Sequence, residues 1–432
     1  MQEYQQSQPR VILVHVELTS DASGTEDLAE LRLLATSADF IIEDVMICRR
    51  SLPQPRFFIG SGKIEELKLL CAACSADLVI FNNHLSPAQE RNISREINSK
   101  VIDRTALILE IFAQRARTYE GKLQVELAQL RYQSTRLVRG WTHLERQKGG
   151  FGLRGGPGEK QLELDRRSLR ERIDAVMTEL SRVESQRGTS RKARKKREIP
   201  VLSLVGYTNA GKSTLFNKLT SSDVYAADQL FATLDPTLRR LQLTDIGTVI
   251  FADTVGFIRH LPHDLVAAFR ATLQETREAS LLLHVVDCHD DRVQDNIEQV
   301  NEVLREIDAG DVPQLLVFNK IDLEEQVTEH VERDENGRPR AVWVSASTGE
   351  GLDLLLKIIT ELLRQNIVEL TLQLPADSGK IRGELYRLQA ITSESYGENG
   401  ECFLGVRLPQ NLWHQLDKKF GFQLSKYILK EK

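Results

Sequence analysis

The stretch "GYTNAGKST", Gly206–Thr214, follows the apolar run "IPVLSLV" and opens into the helical pattern "STLFNKLTS". It fits G-x-x-x-x-G-K-[ST] in the strand-to-helix context that gives this motif its meaning. Its glycines let backbone N–H groups wrap phosphate groups at a helix N-terminus. The predicted phosphate site comprises Gly206, Tyr207, Thr208, Asn209, Ala210, Gly211, Lys212, Ser213 and Thr214. Lys212 can reach the β- and γ-phosphates, and Ser213 can offer its hydroxyl to Mg²⁺.

A second phosphate-facing loop is predicted in "IFADTVGF", which ends another apolar run. Asp253 is placed there to hold magnesium through water, and Gly256 to give its N–H to the γ-phosphate. The predicted switch II consists of Asp253, Thr254, Val255 and Gly256. We expect Lys212 and Gly256 to be the catalytic residues.

The segment "FATLDPT" lies between these two loops and is the predicted switch I. Thr233 is the candidate for the threonine that binds both Mg²⁺ and the γ-phosphate and that releases them after hydrolysis. Thr237 is a weaker candidate because a proline precedes it. The predicted switch I residues are Phe231, Ala232, Thr233, Leu234 and Asp235, and the predicted magnesium ligands are Ser213 and Thr233.

The base that the site selects is indicated by "LLVFNKID" and "VWVSAS", each of which ends a strand-like run. The Asp322 carboxylate can accept from the ring N–H and the exocyclic amine of guanine, whereas adenine has no such pair of donors. A backbone N–H near Ala346 can meet the guanine oxygen. The predicted guanine-binding residues are Asn319, Lys320, Asp322, Ser345, Ala346 and Ser347. Loops at the ends of neighbouring strands are where nucleotide sites assemble in an α/β sheet.

At 432 residues the chain is too long for one typical core, so several domains are expected. The start "MQEYQQSQPR" is polar, no apolar run reaches the roughly 20 residues of a membrane helix, and the five cysteines do not form a disulfide framework. We therefore expect a cytoplasmic protein, monomeric when free, with at most a peripheral association with membranes.

The net charge of −5 is unevenly distributed, because residues 115–197 contain 22 Lys and Arg against 10 Asp and Glu. Leucines spaced at heptad intervals on both sides of a glycine-rich break predict two long antiparallel helices, the first from about Glu120 to Arg146. We call this region the arm. A basic arm on an acidic body indicates a partner made of nucleic acid, and a solvated helical face is the alternative.

The tip of the arm reads "RQKGGFGLRGGPGEKQ" and contains six glycines. Glycine allows close approach, and cations with one aromatic ring suit RNA backbone contact and base stacking. The predicted RNA-contacting residues are Lys148, Phe151, Arg154 and Lys160. The run "RGTSRKARKKR", Arg187–Arg197, holds seven basic residues in eleven and is either a solvated linker or a phosphate-binding segment.

The predicted fold is α/β, with a P-loop G domain built on a mostly parallel sheet. The expected domains are an N-terminal α/β domain at 1–115, the arm at 116–197 with its tip loop at 147–158, the G domain at 198–365, and a small C-terminal α+β domain at 366–432.

Nearly the whole chain resembles the HflX family of GTPases. Beyond the nucleotide motifs, the resemblance rests on "GGFGLRGGPGEKQLELDRR", "FATLDPT", "DTVGFI", "LPHDLVAAFRATLQE" and "FIGSGKIEEL". It implies a GTPase that binds the large ribosomal subunit and its RNA, inserts the arm toward the peptidyl-transferase region, and splits stalled or idle ribosomes, notably under heat stress. Mg²⁺ is the implied cofactor.

One departure from Ras-like enzymes is Phe257, which follows the glycine of switch II where they place a glutamine that orients the attacking water. A phenyl ring cannot do this, so slow intrinsic turnover is expected, with the ribosome or a monovalent cation completing the site. Some GTPases without that glutamine hold K⁺ with an asparagine at the position of Asn209. The alternative is that Asn209 only stabilises the loop turn.

Two other functions remain open. The chain can be an RNA-binding factor for ribosome assembly or ribosomal RNA remodelling that uses GTP as a sensor. It can also be a regulator at a membrane surface, where the basic run Arg187–Arg197 meets anionic lipid.

Overall fold

The structure is a computed structural model. It describes residues 8–18, 24–137, 157–196, 199–220, 230–231, 233–244, 246–258, 273–324, 326–365, 367–375, 378–388, 390–397, 401–420 and 424–431.

The first part of the chain forms a four-stranded parallel sheet in the order β2-β1-β3-β4. Its strands are β1 Arg10–Leu18, β2 Ile41–Arg50, β3 Leu78–Phe81 and β4 Lys100–Asp103. Its helices are α1 Gly24–Ser37, α2 Ser61–Cys74, α3 Pro87–Ile97 and α4 Arg104–Arg115. β3 is buried along its whole length, as expected of a parallel strand covered on both faces.

Two helices follow, α5 Tyr119–Leu137 and α6 Pro157–Lys196. Two contacts show that they run antiparallel: the Tyr119 hydroxyl bonds Glu179, and Glu126, further along α5, pairs with the earlier Arg172 of α6. The apolar seam between them contains Leu123, Leu127, Leu130, Ile173, Val176 and Leu180. The heptad pattern thus marks the side chains that meet.

The bounds of α6 correct two expectations about the arm. The helix starts at Pro157, so the last two residues of the predicted tip loop are helical, as is Lys160. Proline is well suited to the start of a helix, since its missing N–H would have no partner there. At the other end the helix continues through the basic run to Lys196, so the linker alternative is wrong for residues 187–196, and phosphate binding by this run stays a prediction. Lysine, arginine and alanine favour helix strongly enough to carry it past Gly188.

The central sheet has seven strands in the order β10-β11-β9-β8-β5-β7-β6. Its strands are β5 Val201–Gly206, β6 Thr237–Leu243, β7 Gly247–Asp253, β8 Leu281–Asp287, β9 Gln314–Asn319, β10 Val331–Arg333 and β11 Pro339–Trp343. Its helices are α7 Lys212–Thr220, α8 Gln274–Arg277, α9 Val293–Glu306 and α10 Leu352–Gln365, with a short 3₁₀ turn at Ile321–Leu323. Among the described strands of this central sheet, only the β6–β7 and β10–β11 pairs are antiparallel. The predicted α/β class with a mostly parallel G-domain sheet is confirmed.

The last part of the chain forms an antiparallel sheet in the order β13-β14-β12-β15. Its strands are β12 Ile367–Leu374, β13 Ile391–Tyr396, β14 Cys402–Pro409 and β15 Ile428–Glu431. Helices α11 Gly379–Arg387 and α12 Gln410–Lys419 and a 3₁₀ turn at Leu424–Tyr427 accompany it. In the part of the chain that the structure describes, no helix is long and apolar enough to cross a membrane.

The first part of the chain packs directly on the central sheet. One continuous apolar cluster joins Leu34 of α1 and Phe112 of α4 to Phe231 and Phe257, which flank the predicted phosphate site. Because close-packed cores transmit displacement, the loops around that site are not mechanically independent of the N-terminal elements.

Candidate nucleotide site

The loop between β5 and α7 has a backbone that only glycine can adopt at two positions. Gly206 has a φ of +144°, and a Cβ there would lie 2.2 Å from the carbonyl oxygen of Val285. Gly211 has a φ of +90°, and its Cβ would lie 2.1 Å from Nδ2 of Asn319. The two glycines of the motif therefore set the shape of the loop at the N-terminus of α7.

Lys212 is buried at the start of α7. Its Nζ donates to the carbonyl oxygens of Gly206 at 3.1 Å and of Tyr207 at 2.6 Å. Burial lowers the pKa of this amine to about 8, and the neighbouring Asp253 opposes that shift. A desolvated ammonium whose hydrogen bonds go to neutral carbonyl oxygens is well placed to bind anionic oxygens instead.

Three oxygens meet beside Lys212. The hydroxyls of Ser213 and Thr233 lie 2.8 Å apart, and each donates to Oδ2 of Asp253, at 2.8 and 2.9 Å. Oδ1 of Asp253 is buried and has no hydrogen-bond partner among the described residues. Burial raises the pKa of Asp253, and the Ser213 hydroxyl opposes this. Two hydroxyls and an under-satisfied carboxylate are the hard oxygen donors that Mg²⁺ prefers, so the residues present fit this ion.

Of the predicted switch I, the structure describes Phe231 and Thr233–Asp235, and Ala232 lies outside the described residues. Thr233 is buried at the three-oxygen cluster. The weaker candidate Thr237 is instead the first residue of β6, paired with Asp253 across the strands.

In switch II the Thr254 hydroxyl donates to the carbonyl oxygen of Leu204, and Val255 is buried. A Cβ on Gly256 would lie 3.0 Å from Nζ of Lys212, which places the Gly256 backbone next to the amine. The Phe257 N–H donates to Gly206 O at 3.1 Å, and the Phe257 carbonyl accepts from Thr208 N at 2.7 Å. The Phe257 ring is only 2% exposed and lies in the apolar cluster, so it occupies core space and not the phosphate site.

The predicted base-recognition residues come together at the ends of β9 and β11. Asn319 is buried and spans two loops: its Nδ2 donates to Ala210 O at 2.9 Å, and its Oδ1 accepts from Ala346 N at 2.8 Å. Lys320 has a φ of +72° and pairs with Asp287 at 2.6 Å. The predicted phosphate loop and the predicted base-recognition loops are thus fixed to one another through the Asn319 amide.

Asp322 is exposed beside these residues and accepts hydroxyl hydrogens from Ser345 at 2.6 Å and Ser347 at 2.9 Å. The Ser345 hydrogen bond is the main reason that the pKa of Asp322 lies below its usual value. The carboxylate is therefore charged and accessible at neutral pH. It can accept two N–H groups from one edge of a base.

Two predicted residues add little to this geometry. Thr214 lies in the first turn of α7, and Asn209 in the loop has a φ of +62°. Of the predicted tip residues, Lys148, Phe151 and Arg154 lie outside the described residues. Lys160 lies in α6.

Contacts between the site and the N-terminal elements had no signal in the sequence. The Tyr207 hydroxyl donates to Glu30 at 3.0 Å, and Asp235 binds the backbone just before α5. These partners lie more than a hundred residues apart, so no local pattern links them.

Comparisons with known proteins cover most of the chain. Family models match in four parts: GTP-binding GTPase N-terminal at 25–113, GTP-binding GTPase Middle Region at 115–194, 50S ribosome-binding GTPase at 201–320, and HflX C-terminal domain at 329–427.

Among individual proteins, GTPase HflX of Escherichia coli (strain K12) is 57% identical over 410 residues, which cover 95% of this chain and 96% of that protein. GTPase HflX of Magnetococcus marinus is 44% identical over 402 residues, 92% of each chain. A solved structure of a GTP-binding protein from the archaeon Sulfolobus solfataricus in complex with GDP is 25% identical, covers 82% of this chain and 99% of that one, and has a TM-score of 0.45.

Proposed function

Because the chain belongs to the HflX family of GTPases, we propose that it binds the large ribosomal subunit and splits stalled or idle ribosomes under the control of its bound nucleotide. The chemistry itself is GTP hydrolysis, in which water attacks the γ-phosphorus, the bond to the β-γ bridging oxygen breaks, and GDP and phosphate leave. A magnesium-dependent reaction is typical of GTPases.

The observation that carries the proposal is the attachment of a basic two-helix arm to the nucleotide site. Residues 115–197 have an excess of 12 positive charges, as expected of a partner rich in phosphate. At 40 residues, α6 is about 60 Å long by helix rise, enough to reach deep into a large RNA-lined cavity. Lys148, Phe151, Arg154 and Lys160 would make the RNA contacts at its far end.

Within the site, we assign the phosphates to the loop Gly206–Thr214, with Lys212 donating to the β- and γ-phosphates. Ser213 and Thr233 would hold Mg²⁺ directly, and Asp253 through water. Held by these residues, Mg²⁺ would supply positive charge that offsets the negative charge of the phosphates. Gly256 N–H would donate to the γ-phosphate, since the backbone beside Lys212 has room only for glycine.

Guanine would be selected by Asp322, with Asn319, Lys320, Ser345, Ala346 and Ser347 shaping the pocket around it. Phe257 cannot take the place of the water-orienting glutamine, because its ring is buried in the core. Intrinsic turnover is therefore slow, and the large subunit or a K⁺ ion at Asn209 completes the site. The free protein is monomeric and cytoplasmic in this proposal, and it meets membranes only at their surface.

The test is a sucrose-gradient profile of intact ribosomes incubated with the protein and GTP, GDP or a non-hydrolysable GTP analogue. We expect separation into subunits with GTP and with the analogue, and none with GDP. Intact ribosomes in all three samples would overturn the proposal.

The matched variant is the double substitution Gly155→Pro/Gly156→Pro at the tip, which leaves the nucleotide site untouched. It should hydrolyse GTP at the intrinsic rate and fail to split ribosomes. Tight binding of ribosomal RNA without stimulation of hydrolysis would favour an assembly factor instead. Liposome pelleting that depends on Arg187–Arg197 would favour a membrane-surface regulator.

A further inference from the structure

The side chain of Asp235, two residues after Thr233, binds the start of the arm. Oδ2 of Asp235 accepts the backbone N–H groups of Arg117 at 2.9 Å and Thr118 at 2.8 Å, and Oδ1 accepts the Thr118 hydroxyl. The Thr118 hydroxyl oxygen in turn accepts the N–H of Gly121 at 3.0 Å. Helix α5 begins at Tyr119, so a switch I carboxylate completes the cap of the first arm helix.

The fit between these two segments is tight. A Cβ on Gly121 would lie 2.1 Å from Oδ1 of Asp235, so the carboxylate is seated directly against the first turn of α5. Hydrogen bonds from N–H and O–H groups to an ionised acceptor are the stronger ones in proteins. The contact therefore combines several hydrogen bonds with close packing, unlike an isolated pair of surface side chains.

The chain on the N-terminal side of Thr233, at Leu230 and Phe231, is also held in place. Leu230 N–H donates to the Ser37 hydroxyl at 2.9 Å, and the Phe231 ring meets Phe112 edge-on at a centroid distance of 4.7 Å. Thr233 thus lies between an attachment to the N-terminal helices and an attachment to the arm, with its hydroxyl at the three-oxygen cluster.

We propose that Asp235 is a positioning residue. It holds Thr233 at the cluster of oxygens formed with Ser213 and Asp253, and it thereby couples the bound nucleotide to the first turn of the arm. The inference rests on the proposed function only for the role of Thr233 as the switch I threonine. When Thr233 is held by the γ-phosphate, Asp235 is held against α5, and when Thr233 is released the cap is weakened. Coupling of this kind is reciprocal, so the cap must also favour GTP over GDP.

The experiment measures hydrogen exchange of the amides of residues 117–121 in the isolated protein, with GDP and with a non-hydrolysable GTP analogue. In the unaltered protein, protection should be greater with the analogue. In Asp235→Asn the difference between the two nucleotides should disappear, and the ratio of analogue to GDP affinity should fall at least about fivefold, the lower end of typical allosteric coupling.

Asp334→Asn is the matched control. Oδ1 of Asp334 accepts the N–H groups of Asn336 and Arg338, each at 2.9 Å, in a turn between β10 and β11 far along the chain from switch I. It should leave the nucleotide dependence at residues 117–121 unchanged. Gly121→Ala disrupts the same contact from the arm side and leaves the Asp235 carboxylate intact. Like Asp235→Asn, it should abolish the difference in amide protection between the GTP analogue and GDP.

Equal protection with both nucleotides in the unaltered protein would overturn the inference, as would an unchanged affinity ratio in both Asp235→Asn and Gly121→Ala. The outcome is separable from that of the ribosome profile. Nucleotide-dependent protection without ribosome splitting contradicts only the proposed function. Splitting without nucleotide-dependent protection contradicts only the coupling.

Discussion

The Tyr207 hydroxyl lies 3.0 Å from Oε1 of Glu30 and joins the predicted phosphate loop to helix α1. Arg104 binds the same oxygen at 2.8 Å and also reaches Oδ1 of Asn82 at 3.0 Å. The side chains of Arg104 and Glu30 are only 8% and 13% exposed. The predicted phosphate loop is therefore tied to a largely buried polar network between helices α1 and α4 and the end of β3.

Glu30→Ala should lower the free energy of unfolding by about 3 kcal/mol, because it takes a carboxylate away from a buried guanidinium. Tyr207→Phe keeps the Glu30–Arg104 pair and should cost about 1 kcal/mol. Urea unfolding of the two variants measures both values. Equal losses would mean that the ion pair does not dominate this network.

Asp322→Asn should change the preferred base from guanine to xanthine. Xanthine has a carbonyl where guanine has its exocyclic amine, and an amide can donate to that carbonyl while still accepting the ring N–H. We expect the affinity for GTP to fall about 100-fold or more and that for xanthosine triphosphate to rise, measured by competition with a fluorescent nucleotide.

Ser347→Ala serves as the control for Asp322→Asn, because it removes one hydroxyl from the carboxylate and leaves the charge in place. It should change GTP affinity by less than about tenfold. An Asp322→Asn protein that still prefers GTP would contradict our assignment of the base site.

Gly211→Ala should abolish nucleotide binding, since it places a Cβ 2.1 Å from Asn319 Nδ2 at a φ of +90°. Gly62→Ala is the matched substitution, in the "FIGSGK" segment at the start of α2, where nothing lies within 4 Å of the added carbon. It should bind GTP normally and be slightly more stable, by roughly 0.5–1 kcal/mol, because alanine favours helix. Calorimetric titration with GTP separates the two.

Phe257→Gln restores the residue type of Ras-like enzymes, yet it should not raise intrinsic GTP turnover. The side chain at this position is buried in the apolar cluster, so a glutamine there would face the core and not the phosphates. The variant should lose about 3 kcal/mol of stability from the buried amide and the lost packing. A tenfold gain in single-turnover rate would show that the side chain does reach the reacting water.

Intrinsic turnover should be faster in KCl than in NaCl if Asn209 helps to hold K⁺ at the phosphates. The left-handed φ of +62° at Asn209 is tolerated best by asparagine and glycine, so a structural role in the turn must be separated from ion binding. Asn209→Gly keeps the backbone conformation and removes the amide. Equal rates of the unaltered protein in the two salts would remove the potassium hypothesis.

The sequence was sufficient to predict which strand ends carry the candidate site residues. Lys212, Asp253 and Asn319 each follow or end an apolar run, and parallel strands bring such ends to one edge of a sheet. The predicted membership of the HflX family is confirmed, as is GTP hydrolysis.

The sequence did not reveal the side-chain contacts between segments that lie far apart along the chain. Asp235 with Thr118 and Phe231 with Phe112 are separated by more than a hundred residues, and each is an ordinary residue in its local context. The continuation of α6 through the basic run was also missed. Glycine, threonine and serine at 188–190 resemble a helix end, but the lysines and arginines that follow restore helix propensity.

The first arm helix begins beside the predicted switch I. Thr118, just before α5, is bonded to Asp235, and α6 ends at Lys196, only a few residues before β5 leads into Gly206. A force on the remote end of the arm would therefore act on the contact between Thr118 and Asp235, two residues from Thr233. Mechanical resistance met by the arm would change the residence time of the nucleotide. The protein would then respond to force as well as apply it.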